Sequence, residues 1–352
     1  MAGNGSGPRR RILLEDVAQR AGVSRSTASR ALADDHRISL ATRASVKHAA
    51  AELHYIPNAA ARSLRVRRTR TFGLLLPELS DPVHGQVASA FEQAAADGGF
   101  EVLFVSGYGD RARERKAMKT FAERGMDAVA IVSGTISPAE AGERLEPHHL
   151  VLVQSEHDSI RANPGRPGTI QIDDASGVEA AVDHLVGLGY RRIAYVEGGA
   201  KGSNVVRREA CAAAVRRHGL EPFDTFEAPE DAWRAPDELA GRIASRLPAA
   251  LVCYDDKLAL ALMDALRRRG IACPEDIGIV GFDGIPFAAM SNPRLTTVAA
   301  PSAELGRLAA SALIDGLRTS VSPVGVVLPV ALVEGESTRN LVATGARVMI
   351  HA

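Results

Sequence analysis

The segment from Leu14 to Leu64 constrains the fold most, because three short helical patterns follow one another there with their start and stop signals in place. Leu14, Val17 and Ala18 recur at i, i+3 and i+4, which gives one apolar helix face. Ala21-Gly22-Val23 follows as a turn: small residues let two helices meet closely, and glycine accepts a positive φ. Ser24 is placed as an N-cap, since its hydroxyl accepts a free backbone N–H. A second helix runs from about Arg25 to Leu32, with Ala28, Ala31 and Leu32 facing in and Arg25, Ser26, Ser29 and Arg30 facing out. A third starts near Ser39 and buries Val46, Ala49, Ala50 and Leu53; Pro57 ends it, because the residue before a proline is pushed out of helical geometry. Such a layout presents one polar helix to a DNA groove, where arginine pairs bidentately with a guanine edge and serine serves a base or a phosphate.

Charge agrees with this. Residues 1–70 carry 14 Lys and Arg against 5 Asp and Glu, whereas the remainder carries 28 against 37, so a formal net charge of zero hides a basic head on an acidic body. Phosphate binding needs such a head, and it should weaken steeply with salt. The run Arg9-Arg10-Arg11 alone would be no more than solvated surface.

After Arg70 the texture changes to short apolar runs alternating with amphipathic helical stretches. Strands are expected at 72–77, 100–106, 128–133, 150–154, 169–173, 192–197, 250–254 and 277–282. Helices are expected at 85–97, 114–124, 176–188, 205–218, 236–246, 257–269 and 302–317. Continuous apolar strands alternating with helices imply parallel sheets covered on both faces. The roughly 280 residues involved are too many for one such sheet, so two α/β lobes are expected.

Asp16-Val17-Ala18, Ala21-Gly22-Val23-Ser24, Thr27, Ser29-Arg30, Tyr55-Ile56-Pro57-Asn58 and Leu64 together resemble the lac repressor (LacI/GalR) family of bacterial transcription regulators. Asp173-Asp174-Ala175-Ser176-Gly177, His184-Leu185, 189–193, Gly281-Phe282-Asp283 and 295–298 extend the resemblance over nearly the whole chain. It implies a DNA-binding set of Ser24, Arg25, Ser26, Thr27, Ser29 and Arg30, with Arg25, Ser26 and Arg30 reading bases in the major groove. It also implies a hinge helix with Asn58, Ala61 and Leu64, the leucine wedging into a minor-groove step. The implied organisation is a disordered arm (1–11), a helix-turn-helix domain (12–57), a hinge helix and linker (58–70), a two-lobed effector and dimerisation domain similar to periplasmic binding proteins (71–340), and a tail (341–352). The implied partners are a near-palindromic operator, a second copy of the chain, and a small molecule held between the lobes.

The resemblance places that molecule against Arg207, Asp255, Asp283, Trp233, Gln154 and His84. A carboxylate and a guanidinium each take two hydrogen bonds, which suits adjacent sugar hydroxyls. The competing reading is a purely structural ion pair among Arg207, Asp255 and Asp283, with Trp233 an ordinary loop aromatic. Departures from the family pattern keep the ligand open to a polyol, a nucleobase or another small metabolite. Ser80–His84 stands where an aromatic often stacks on the ligand, Ala210 where glycine is usual, Asp255 where asparagine is frequent, and Gln154 where an acidic residue can occur.

No apolar run is long enough to span a membrane, and the polar, basic residues 1–11 do not form a secretion signal, so a cytoplasmic location is expected. Cys211, Cys253 and Cys273 are odd in number and far apart, which suggests neither a disulfide framework nor a zinc site. HExxH, GxSxG and GxxxxGK[ST] are absent, and no cofactor is expected. Gly198, Gly199 and Gly202 fit no nucleotide fingerprint and read as a cleft loop. No leucine heptad follows Thr338, which favours a dimer over a coiled-coil tetramer. Two further hypotheses are an α/β enzyme with a fused DNA-binding head and a solute-binding module whose head is unused. Inducer and corepressor fit the same residues.

Overall fold

The computed structural model describes residues 12–56, 68–133, 135–143, 145–146, 149–154, 168–199, 202–221, 224–229, 231–322 and 325–344. Asn58, Ala61 and Leu64, with the arm, most of the hinge and the end of the tail, lie outside the described residues. The chain divides into two compact units, Met1–Thr69 and Arg70–Ala352.

In the smaller unit, α1 (Leu14–Arg20), α2 (Arg25–Leu32) and α3 (Leu40–Glu52) surround a core of Val17, Ala18, Ala28, Ala31, Val46, Ala49 and Ala50. Leu32 and Leu53, expected inside, pack against that core while staying half-buried. The Ser24 and Ser39 hydroxyls cap α2 and α3 by accepting the backbone N–H of Thr27 and Thr42, each at 3.1 Å. Gly22 stands at φ +66°, with no heavy atom within 4 Å of where a Cβ would lie. The turn therefore needs glycine for its backbone conformation and not for close helix approach.

The larger unit holds two six-stranded sheets, one per lobe. The first lobe contains β1 (Thr71–Leu76), α4 (Pro82–Asp97), β2 (Glu101–Ser106), α5 (Arg111–Glu123), β3 (Ala128–Val132), α6 (Pro138–Gly142), β4 (Leu150–Val153) and β5 (Gly168–Ile172). The second contains α7 (Asp174–Gly187), β6 (Ile193–Val196), α8 (Gly202–Arg217), β7 (Thr225–Phe226), a 3-10 turn (Ala232–Arg234), α9 (Asp237–Arg246), β8 (Ala250–Cys253), α10 (Asp256–Arg267), β9 (Gly278–Asp283), α11 (Pro286–Met290) and β10 (Thr296–Ala299). The chain then returns to the first lobe as α12 (Ser302–Thr319) and β11 (Val326–Leu328), and the last described elements, β12 (Ala331–Val333) and α13 (Leu341–Thr344), belong to the second.

The sheet orders are β11-β5-β4-β3-β1-β2 and β12-β10-β9-β8-β6-β7, parallel throughout except for the β10–β12 pair. β3, β4 and β8 are buried along their whole length, as strands covered on both faces must be. The chain crosses between lobes three times, at residue 173, at 300–301 and at 329–330. The first and third crossings are tied by the Asp173 N–H donating to the Leu328 carbonyl at 2.9 Å. The second is tied to the end of β9 by the Ala300 N–H donating to the Asp283 carbonyl at 3.1 Å. Residues 341–344, assigned to the tail by sequence, form a short helix whose Leu341 N–H donates to the Leu188 carbonyl at 2.8 Å.

Candidate functional site

Two surfaces gather the residues singled out by sequence. On the smaller unit, Arg25, Ser26 and Arg30 of α2 are exposed, and Thr27 and Ser29 are half-buried. Ser24 serves as more than a cap: its hydroxyl lies 2.9 Å from both the Ser26 and Thr27 hydroxyls and ties the first turn together. No acidic residue stands in that turn, so the positive end of the helix is left for an anion. Arg25 Nε is 3.9 Å from the Glu15 carboxylate with both side chains exposed, a contact too solvated to hold the guanidinium back from DNA. Arg30 makes no ion pair among the described residues.

The second surface lies in the larger unit, at the carboxyl ends of β6, β8 and β9. Arg207, on the second turn of α8, is 3% exposed. Its Nε donates to the Asp174 carboxylate at 2.7 Å and its Nη1 to the Tyr254 carbonyl at 2.6 Å; its Nη2 lies 3.7 Å from Asp283. The guanidinium centre stands 3.5 Å from the centroid of the Phe282 ring and 4.9 Å from that of Tyr254. Burial works against this charge, but Asp174 and Asp283 outweigh it and hold the guanidinium protonated, above its ordinary value. The loop before α8 permits the arrangement: a Cβ on Gly198 would stand 2.0 Å from the Tyr254 ring, whose residue supplies the carbonyl to Arg207.

Asp283 ends β9 at φ 107°, a conformation that L-residues rarely adopt and that the surroundings must hold in place. Burial pushes its carboxyl well above the usual range, and Asp255, Asp256 and Asp81 add to the push while Arg207 opposes it. Asp255 caps α10 through Oδ1, which accepts the Leu258 N–H at 2.7 Å. Burial also raises its carboxyl, with Lys257, 3.7 Å from Oδ2, pulling the other way. The competing ion-pair reading is thereby redrawn: Arg207 pairs with Asp174 and Asp283, and Asp255 pairs with Lys257.

Trp233 sits in the 3-10 turn, with the Arg234 guanidinium 4.3 Å and the Lys257 ammonium 5.5 Å from its ring centroid. His84, in the first turn of α4, has Nδ1 3.2 Å from the Glu78 carbonyl and lies beside Asp81. Gln154 directly follows β4, at φ 48°, with its N–H donating to the Ile170 carbonyl at 2.9 Å; among the described residues no bond of the Arg207 cluster reaches it. Three members of the site were not singled out by sequence: Asp174, Lys257 and Asp256. Asp174 lay inside the matched Asp173-Asp174-Ala175-Ser176-Gly177 run and carried the only available signal. Fully buried Asp256 accepts the Thr297 hydroxyl at 2.5 Å and the Ile285 N–H at 2.8 Å, so it ties α10 to β10 and to the loop that follows Asp283. Burial pushes its carboxyl up to about 7, and those two bonds limit the rise.

The cluster can donate two or more hydrogen bonds from a fixed guanidinium and accept several at Asp255 and Asp283, beside an aromatic face. Among the described residues no group of three or more His, Cys, Asp or Glu is arranged to hold a metal ion.

Residues 13–58 match the family model described as bacterial regulatory proteins, lacI family, and residues 182–338 match that of a periplasmic binding protein-like domain. The HTH-type transcriptional regulator DegA of Bacillus subtilis is 33% identical over 298 residues, which cover 83% of this chain and 87% of the relative. The lac repressor dimer bound to operator and an anti-inducer superposes with a TM-score of 0.82 at 23% identity, covering 94% of this chain and 100% of that one. The regulator CelR in complex with cellobiose superposes with a TM-score of 0.66 at 27% identity, covering 93% of this chain and 100% of that one.

Proposed function

We propose, on the premise that the chain belongs to the lacI family of bacterial regulatory proteins, that it regulates transcription by binding a near-palindromic operator as a homodimer, with an affinity set by a carbohydrate held between its lobes. The observation that carries the DNA-binding half is the first turn of α2: capped by Ser24, free of acidic residues, and followed by exposed Arg25, Ser26 and Arg30. A basic first 70 residues on an acidic remainder supports the same reading. Two-fold symmetry of a dimer then requires two half-sites.

The carbohydrate half rests on Arg207, Asp255 and Asp283, a set of bidentate polar groups, with the Lys257 ammonium that pairs with Asp255 lying 5.5 Å from the centroid of the Trp233 ring. CelR, whose structure holds cellobiose, lends the ligand class. We read the cleft as a binding site and not a catalytic one, since its guanidinium and carboxylates serve to hold hydroxyls in place. No helix among the described residues is long and apolar enough to cross a membrane, and an operator-binding protein works where the chromosome is, in the bacterial cytoplasm.

Selection from a randomised duplex pool tests the reading. The expected product is a near-palindromic consensus whose affinity falls steeply with salt. On that consensus Arg30→Ala should lose about 1–3 kcal/mol through one base pair in each half-site. An equal loss on every sequence would make Arg30 a phosphate contact, and a pool without enrichment would refute the DNA-binding assignment.

A further inference from the structure

Two aspartates that cap helices in different lobes meet at a single ammonium. Asp81 caps α4 of the first lobe, its Oδ1 accepting the Val83 N–H at 2.9 Å, and its Oδ2 pairs with Lys257 Nζ. Asp255 caps α10 of the second lobe, and its Oδ2 is 3.7 Å from that same Nζ. The three side chains are largely enclosed, at 24% exposure for Lys257, 13% for Asp81 and 12% for Asp255. Each carboxylate is anchored by its helix N-terminus, so neither can swing away from the other at low cost.

We propose that Lys257 is an electrostatic lock of the effector cleft, its ammonium drawing Asp81 of one lobe onto Asp255 of the other and so closing the lobes by the protein's own groups. Without the cation, the same two anchored carboxylates would repel across the cleft, and in a partly dry site that repulsion is little screened. Lys257 is held charged against burial by Asp255 and Asp81, and Asp81 is held below its ordinary range, despite burial, by His84 and Lys257. A second bridge between the lobes, Arg234 to Glu78 at 3.7 Å, has side chains 56% and 41% exposed and contributes little by comparison. The ammonium also stands at the face of Trp233, so a ring-shaped ligand packing there competes with the lock for the same space. The regulatory meaning rests on reading this cleft as the effector site; lobe closure is measured without any effector, so the lock can fail while that reading stands.

Trp233 is the single tryptophan of the chain and reports directly on this contact. The test is its emission maximum and acrylamide quenching, with the radius of gyration from solution scattering, in the full-length protein and in Lys257→Gln, Asp81→Asn, Lys257→Arg and the double variant Asp81→Asn/Lys257→Gln. Far-UV circular dichroism confirms that each variant is folded. The expected pattern is a red shift, faster quenching and a larger radius in Lys257→Gln, a smaller change in the double variant because the repulsion is gone, and wild-type behaviour in Lys257→Arg. The Glu78→Gln variant should also behave as wild type. A folded Lys257→Gln protein with unchanged emission, quenching and radius would overturn the lock. So would a double variant that opens further than Lys257→Gln, since lost packing and not charge would then be responsible.

Discussion

Replacing Arg207 by alanine is expected to cost the larger unit about 3–5 kcal/mol of stability, the range for breaking a buried ion pair by removing one partner. The guanidinium is 3% exposed and neutralises Asp174 at 2.7 Å and Asp283 at 3.7 Å. Its loss leaves both carboxylates in a site that water reaches poorly, and removes the donor to the Tyr254 carbonyl. Arg207→Met retains most of the contact with Phe282 and Tyr254 but none of the charge, so its cost separates counter-charge from packing. Urea unfolding followed by Trp233 emission measures both. A loss under about 1 kcal/mol in Arg207→Ala would place the cluster among weak surface pairs and remove the basis for a pre-organised guanidinium.

The second large effect is on pH dependence. Asp256 is pushed by burial from 3.8 to about 7 in the folded chain. A raised pKa means that folding favours the neutral carboxyl. Its contribution is therefore fully present below the unfolded value near 3.8 and is lost as pH rises through about 7. Stability should fall across that window with a slope approaching about 1.4 kcal/mol per pH unit for this one proton. Asp255 and Asp283, also raised by burial, act with the same sign, whereas the half-buried Asp35 of the smaller unit, held low by hydrogen bonds from Arg37, acts with the opposite one on that unit. The difference between wild type and Asp256→Asn isolates the residue, since asparagine keeps one acceptor for Thr297 or Ile285 and cannot ionise. The difference between the two proteins should be a constant offset below about pH 3.8, shift in favour of the variant between there and about pH 7, and level off above it. Parallel curves would show that Asp256 does not titrate in this window.

Legibility in the sequence followed the range of the interaction concerned. The smaller unit was readable because its signals are local: Ser24 and Ser39 each satisfy an N–H three residues on. The central strands were readable as continuous apolar runs, since β1, β3, β4 and β8 are covered on both faces. β7, β11 and β12 span only two or three residues with exposed positions, so their pairing is dictated by neighbours and leaves no periodic trace. β10 was visible only as the Leu295-Thr296-Thr297-Val298 pattern, not as a strand.

The cleft shows the same division. Arg207, Asp255 and Asp283 could be placed by motif, but their partners could not. Asp174 lies 33 residues from Arg207, and Asp81 lies 176 from Lys257. Only the folding of two lobes around three crossings brings such pairs together. Asp256, next to Asp255 in sequence, gave no sign that one of the two would cap a helix and the other would brace the loop after Asp283.

The most direct measurement is the reciprocity of binding between the two units. A duplex carrying the selected consensus is titrated with protein in the presence of a carbohydrate panel that includes cellobiose, and each carbohydrate is titrated against protein with and without that duplex. Regulation through the cleft predicts one carbohydrate that shifts the DNA dissociation constant by about 5–150-fold, with the duplex shifting carbohydrate affinity by the same factor. A carbohydrate that binds the cleft tightly, is lost in Arg207→Met, and leaves DNA affinity unmoved would contradict it.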